Sequence, residues 1–196
     1  RPAPLRVGLA WASAYLLNSW RGCRARDGDR QRSKTSFDRA LGRFWPEPLA
    51  PEALRRLFAH YEELRRWAGM VALIGPGAAD ELFERHYAEA LRALPWLRQG
   101  ESGKRVRLLD LGSGAGFPGW ILAAARTDLD VTLVEARERK WAFLATAARR
   151  ARLSCRCLNA RVSARSLADL PDRSERIDLH GPIDVVTVRA LRLEAK

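Results

Sequence analysis

Between Val106 and Trp120 the chain reads Val-Arg-Leu-Leu-Asp-Leu-Gly-Ser-Gly-Ala-Gly-Phe-Pro-Gly-Trp, and this stretch holds the residues best suited to bind a small charged molecule. A carboxylate, Asp110, stands near the end of a short apolar run. Gly112, Gly114 and Gly116 follow at alternate positions, with Ser113 and Phe117 among them. Glycines so placed let the backbone approach a ligand where a Cβ would collide. The spacing also selects among ligands. A dinucleotide turn carries its third glycine three residues after the second, and that position is Phe117. Asp110 would repel a pyrophosphate, whereas a sulfonium and an ammonium would be drawn to it. S-adenosylmethionine carries both and has no phosphate. Further on, Asp130-Val-Thr-Leu-Val-Glu135 ends a second β-branched run in an acid. From that place in a doubly wound sheet a carboxylate reaches ribose hydroxyls. The other use for Glu135 is as a helix-start carboxylate favoured by the helix dipole.

These residues need strands that end beside one another and helices that begin there. Val106 to Leu111 predicts a first strand, and Pro118 suits the first turn of a helix running to about Arg126. Asp130 to Glu135 is the second strand, followed by Ala136. Arg137, Arg139 and Lys140 open the next helix, whose apolar positions are Trp141, Phe143, Leu144 and Ala148. Three cations in a first turn oppose the helix dipole, which points to a ligand nearby. Ser154 to Leu158 is the third strand, with Asn159, Ala160 and Arg161 at its tip, where a side-chain amide could read an adenine. A polar loop with a short helix spans 163–182, and Ile183 to Val188 is a fourth strand ending in Arg189. Strands alternating with helices predict an α/β fold with a Rossmann-like parallel sheet. The cofactor residues are therefore Asp110, Gly112, Ser113, Gly114, Gly116, Phe117, Glu135, Ala136, Asn159, Ala160 and Arg161.

Ahead of the sheet, Pro51 to Met70 places Leu54, Leu57, Phe58, Tyr61, Leu64 and Trp67 at helical spacing, with Arg55, Arg56, Arg65 and Arg66 opposite. Gly75-Pro76-Gly77 breaks this helix. Asp80 to Leu94 predicts a second amphipathic helix, with Leu82, Phe83, His86, Tyr87, Ala90 and Leu91 on one stripe; on that stripe His86 is by default a packing histidine. Residues 1–49 read as a basic leader or extension, disordered or helical, within which 21–40 has the composition of a solvated linker. The domain reading is thus 1–49, a helical region 50–100, and a cofactor-binding domain 101–196. No Asp or Glu precedes Asp27, as in organellar leaders, yet the apolar run from Val7 to Trp20 is short of a membrane span. A cytoplasmic location is the expectation, with organellar targeting left open.

Lys and Arg exceed Asp and Glu by 35 to 23, a net charge of +12, and a surplus of that size favours nucleic acid as partner. An arginine-rich composition bias is the bland alternative. Cys23, Cys155 and Cys157 are too few for a disulfide framework. With only His60, His86 and His180 beside them, no metal site is expected.

The segments Leu-Asp-Leu-Gly-Ser-Gly-Ala-Gly-Phe-Pro-Gly, Val-Thr-Leu-Val-Glu-Ala-Arg-Glu-Arg-Lys-Trp-Ala-Phe-Leu and Asp-Val-Val-Thr-Val-Arg-Ala together resemble the RsmG (GidB) methyltransferases. Upstream, Glu84-Arg-His-Tyr-Ala-Glu-Ala-Leu resembles that family's Arg-His-x-x-Asp-Ser-Leu segment. The resemblance covers about residues 50 to 192. It implies a class I methyltransferase sheet of seven strands, S-adenosylmethionine as cofactor, and methylation of N7 of a guanine in small-subunit ribosomal RNA. Arg189 then becomes the candidate catalytic residue, hydrogen-bonding guanine O6 and leaving N7 free; a salt bridge or phosphate contact is its other use. Arg65, Arg66, His86, Arg137, Arg139 and Lys140 become candidates for ribosomal RNA contact, the arginines and the lysine as one phosphate-binding surface. Four strands are legible where the resembled fold has seven, so a C-terminally incomplete chain is expected. The family's Trp-Asn-x-x-x-Asn-Leu-Thr appears as Trp67-Ala-Gly-Met-Val-Ala-Leu-Ile, and its Asp-Ser as Glu89-Ala90. Those departures leave a second reading, a non-catalytic methyltransferase-fold module that binds ribosomal RNA or assists ribosome assembly. Neither membrane nor metal enters either reading, and the oligomeric state is not legible.

Overall fold

The computed structural model describes residues 27–75, 81–97, 104–161 and 182–189. Four parallel strands, β1 (Val106–Leu111), β2 (Leu129–Glu135), β3 (Arg156–Asn159) and β4 (Val185–Val188), lie in the order β3-β2-β1-β4. The chain steps outward from β1 to β3 and then returns to the other side of β1. The switch point of this doubly wound sheet therefore falls between the tips of β1 and β4, where such folds bind ligands. Register brings Asp110 opposite Thr187, and Leu111 opposite both Val134 and Val188. The entry of β4 is pinned by Arg107, whose backbone N–H donates to Asp184 Oδ2 at 2.8 Å and whose guanidinium donates to the Pro182 carbonyl at 2.7 Å. All four expected strands are present; β1 has the expected ends, and the ends of the others shift by at most two residues.

The helices depart further from expectation. The stretch 21–40, read as a solvated linker, lies largely within α1 (Asp27–Gly42), and Phe37, with Leu41 and Trp45 just beyond the stretch, is buried. Its polar composition hides a stripe only two residues wide: Phe37 and Leu41 lie one turn apart and enter the core together. The Phe37 ring sits 5.2–5.6 Å from those of Phe58, Tyr61, Phe83 and Tyr87. Next, α2 (Pro51–Trp67) forms as its spacing predicts, with Pro51 and Glu52 in its first turn and Arg65 and Arg66 in its last. The single α-helix expected over Asp80 to Leu94 is instead a π-helix, Leu82–Ala88, a short α-helical turn α3 (Glu89–Leu91) and a 3₁₀ turn, Leu94–Trp96. The wider π turn pairs residues five apart, so Leu82 and Tyr87 are buried while Phe83 and His86 are only half-buried. Pro118 precedes rather than opens α4 (Gly119–Ala125), and α5 (Glu138–Ala151) ends at Arg152 in the left-handed conformation.

One face of the sheet carries the large core, in which α2 packs on α4 and α5. The other face shows the small cluster Leu109, Leu111 and Val134. Among the described residues no helix is long and apolar enough to cross a membrane, and no group of three or more His, Cys, Asp or Glu could hold a metal ion.

A buried carboxylate joins the helical layer to the sheet domain. Glu63 of α2 is 2% exposed and accepts from Arg66 at 2.6 Å, from Trp67 Nε1 at 3.2 Å and from Arg150 of α5 at 2.9 Å. Both guanidiniums are partly exposed, so they rehydrate when the carboxylate is removed. Glu63→Ala should therefore cost about 1–3 kcal/mol, below the loss for a fully buried pair. Denaturant unfolding checks this, and a change within about 0.5 kcal/mol, as at an ordinary surface site, would reduce Glu63 to a space-filler.

Candidate cofactor site

The turn after β1 is built as the glycine spacing requires. Gly112, Gly114 and Gly116 have φ of 70°, 57° and 90°, values that side chains other than glycine rarely adopt. The amides of Gly112 and Ser113 both donate to the Val134 carbonyl, at 2.9 and 3.0 Å, which bends the chain across the tip of β2. At Gly114 an added Cβ would meet only the Gly112 carbonyl oxygen, at 3.7 Å, so this turn has room on its outer side.

Asp110 lies beneath the turn, 1% exposed. Its Oδ1 accepts from the Thr187 hydroxyl of β4 at 2.6 Å, while Oδ2 is buried with no hydrogen-bond partner. Burial raises its pKa and the nearby Glu135 charge adds to this, against the opposing pull chiefly of the Thr187 hydroxyl. An orphaned carboxylate oxygen is costly, and it suits a cationic or hydrogen-bond-donating ligand. Gly119 makes room for it: a Cβ there would lie 2.5 Å from Asp110 Cβ.

Glu135, 7% exposed, closes the other side. Its Oε2 accepts from the Gly114 amide and its Oε1 from the Arg137 amide, each at 2.8 Å. One carboxylate thus fastens the glycine turn to the start of α5, and of the two uses foreseen for it the helix-start one is formed. Asn159 is engaged too, since its side-chain N–H donates to the Glu135 carbonyl at 3.0 Å. Ala160 donates to the same carbonyl at 3.2 Å, and Ala136 and Arg161 are exposed at the tips of β2 and β3.

At the mouth, Phe117 is buried against His86, ring centroids 5.1 Å apart. Arg189 leaves the tip of β4 and donates to the Arg85 carbonyl at 2.7 Å and to Glu89 at 3.0 Å. Of its two foreseen uses, the salt bridge is the one formed. His86 Nδ1 is buried without a hydrogen-bond partner, and burial, then the Arg189 charge, hold its pKa below the ordinary value. His86 therefore belongs with Phe117 and Arg189 at the mouth.

The fold sets the two basic groups toward opposite ends of α5. Arg66 shares Glu63 with Arg150, near the C-terminal end of α5, and the Arg65 guanidinium lies 5.7 Å from the Tyr61 ring centroid. Arg137, Arg139 and Lys140 stand at the opposite end of α5, roughly 16 Å away along the helix at 1.5 Å per residue. Periodicity along two helices does not say how they cross, and the crossing separates the groups. Lys140 is half-buried, and burial followed by the Arg137 charge lowers its pKa.

Sequence reasoning missed three residues of this site: Thr187, Gly119 and His60. His60 had appeared only as a histidine with no cysteine partner; it is fully buried, with Nε2 at 2.8 Å from the Ala115 carbonyl. The register of β4 on β1 could have pointed to Thr187, opposite Asp110; nothing local marks the other two.

A parallel sheet with its switch point beside Asp110, a positive-φ glycine turn and an acid-tipped second strand, behind a helical N-terminal layer, define a Rossmann-like α/β protein with a candidate ligand site at the strand tips. The chain belongs to the GidB family, rRNA small subunit methyltransferase G, whose profile matches residues 53–194. A ribosomal RNA small subunit methyltransferase G of Methylobacterium radiotolerans is 38% identical over 145 residues, 73% of this chain and 61% of that protein. Those of Paramagnetospirillum magneticum and Rhodospirillum rubrum are 36% and 38% identical over 143 residues each, again 73% of this chain. The chain spans about three-fifths of the length of these relatives. The family resemblance read from the glycine turn and the two later strands is thereby confirmed.

Proposed function

We propose that this chain carries the cofactor-binding part of an S-adenosylmethionine-dependent methyltransferase acting on N7 of a guanine in small-subunit ribosomal RNA. The observation that carries the reading is the orphaned Asp110 oxygen beneath a glycine turn that Glu135 fastens from the side. The residues present fit the cofactor: Asp110 suits its cationic end, Gly114 leaves space for it, and Glu135 offers carboxylate oxygens to a ribose. When bound, the cofactor supplies an electrophilic methyl group. Guanine N7 has a free lone pair and no proton to lose, so the protein needs no general base. Its task is alignment, which is worth roughly 7–11 kcal/mol in well-oriented reactions. Arg189 at the mouth would donate to guanine O6 after exchanging its Glu89 and Arg85 partners for the base. Phe117 and His86 would border the base, and Arg137, Arg139 and Lys140, beside Glu135, would meet RNA phosphates. A cytoplasmic site of action belongs to the same proposal. The names of the relatives, and the +12 charge, support a ribosomal RNA substrate.

Calorimetric titration with S-adenosylmethionine tests the cofactor assignment. Glu135→Gln keeps the shape but removes the charge, and losing a charged hydrogen bond costs about 1.5–3 kcal/mol, so affinity should fall roughly ten- to a hundred-fold. Parental affinity in that variant would leave Glu135 as a structural staple of the turn. A parent chain that does not bind S-adenosylmethionine at all would favour the non-catalytic module.

A further inference from the structure

We propose that His60 is a positioning residue for the glycine turn: by donating from Nε2 to the Ala115 carbonyl, it holds the turn in the shape that accepts the cofactor and ties that shape to the N-terminal helical layer. The inference rests on the cofactor reading above and adds the part of the protein that enforces it.

The hydrogen-bond geometry fixes the direction of each bond. A carbonyl oxygen can only accept, so Nε2 must carry the hydrogen in its 2.8 Å contact with Ala115. In the neutral ring Nδ1 is then an acceptor, and it receives the Tyr87 hydroxyl hydrogen at 2.8 Å. Burial holds the imidazole near a pKa of about 4, so the neutral form prevails at physiological pH. The rings of Trp120, Phe117, Phe143 and Tyr87 surround it at 4.5, 5.4, 5.5 and 5.7 Å. His60 thus connects three segments distant in sequence: α2, the π-helix through Tyr87, and the turn.

The turn needs such a hold. Ala115 lies between two glycines of positive φ, 57° and 90°. Rotation of the Ala115–Gly116 peptide plane meets little steric resistance because Gly116 has no side chain. Turning that plane would carry off the Gly116 amide, which donates to the Ser113 carbonyl at 2.6 Å, and would alter the surface facing a ligand. A purely apolar filler would avoid the cost of burying an imidazole. What the imidazole adds is a directed donor at one carbonyl and an acceptor that orients the ring.

The test separates a donor from a filler. In His60→Gln the side-chain amide N–H reaches the Ala115 carbonyl, whereas in His60→Asn it is too short to do so. Calorimetry with S-adenosylmethionine should find the Gln variant within about three-fold of the parent and the Asn variant weaker by about ten-fold or more, the loss of one well-placed hydrogen bond. Without ligand, amide hydrogen exchange at Gly114 and Gly116 should quicken in the Asn variant and stay near parental in the Gln variant. Equal losses in both folded variants, or parental affinity and exchange in the Asn variant, would overturn the proposal. If the parent itself does not bind S-adenosylmethionine, the cofactor reading fails and the exchange comparison alone decides for or against His60. If the Asn variant does not fold, Tyr87→Phe decides, because it removes only the hydroxyl that orients the ring. Faster exchange at Gly116 then supports the proposal, and parental exchange overturns it.

Discussion

Gly116→Ala should destabilise the protein by about 2–5 kcal/mol, whereas Gly114→Ala should cost only about 1–2 kcal/mol and leave it folded. Both glycines have positive φ, so both substitutions pay for a conformation that L side chains resist. The difference is space. A Cβ at Gly116 would lie 2.7 Å from Trp120 Cβ, 3.2 Å from His60 Nε2 and 3.3 Å from Leu144 Cδ2. None of these is the loose end of an exposed chain, and Trp120 and His60 are fully buried. Overpacking therefore adds about 1–3 kcal/mol to the backbone cost. At Gly114 the Cβ would enter open space on the ligand side, so its harm should appear in cofactor affinity rather than in stability. Thermal unfolding of the two variants checks the contrast, and equal melting temperatures would show that the turn yields at Gly116. Gly119→Ala belongs with Gly116→Ala, since its Cβ would press on the Asp110 side chain from 2.5 Å.

Acidification from pH 6.5 to about 4 should cost the fold about 3 kcal/mol through His60 alone. Burial lowers its pKa from 6.5 to about 4 in the folded protein. Over that window the unfolded chain takes up a proton that the folded chain refuses, so stability falls as pH falls. At about 1.4 kcal/mol for each pKa unit the loss comes to about 3 kcal/mol. Asp110 works the other way: its raised pKa makes acidification relieve a buried charge, so its contribution is lost as pH rises. The parental curve alone mixes the two. Subtracting the curve of His60→Gln, which keeps Asp110, isolates the histidine. A difference curve that is flat between pH 4 and 6.5 would mean that His60 charges as freely in the folded protein as in the unfolded chain.

The cofactor end of the fold was legible in the amino-acid sequence because its determinants are local. Alternating glycines after an apolar run announce positive φ and close approach, and acids at Asp110 and Glu135 announce charge at two neighbouring strand tips. Four runs of β-branched and apolar residues with helical patterns between them are enough for a doubly wound sheet. What tertiary structure alone decided are contacts between distant residues. Thr187 reaches Asp110 from 77 positions away, Arg189 reaches Glu89 from 100, and His60 meets the Ala115 carbonyl from 55. No periodicity within a segment encodes such meetings; they follow from how α2, the π-helix and β4 cross the sheet. For the same reason α1 escaped composition, which registers its many charges but not that Phe37 and Leu41 share one turn against an aromatic core. The arginines show the limit most plainly. Sequence sets their number and their helices, but only the crossing of α2 over α5 puts Arg66 beside Arg150 on Glu63 rather than beside Arg137.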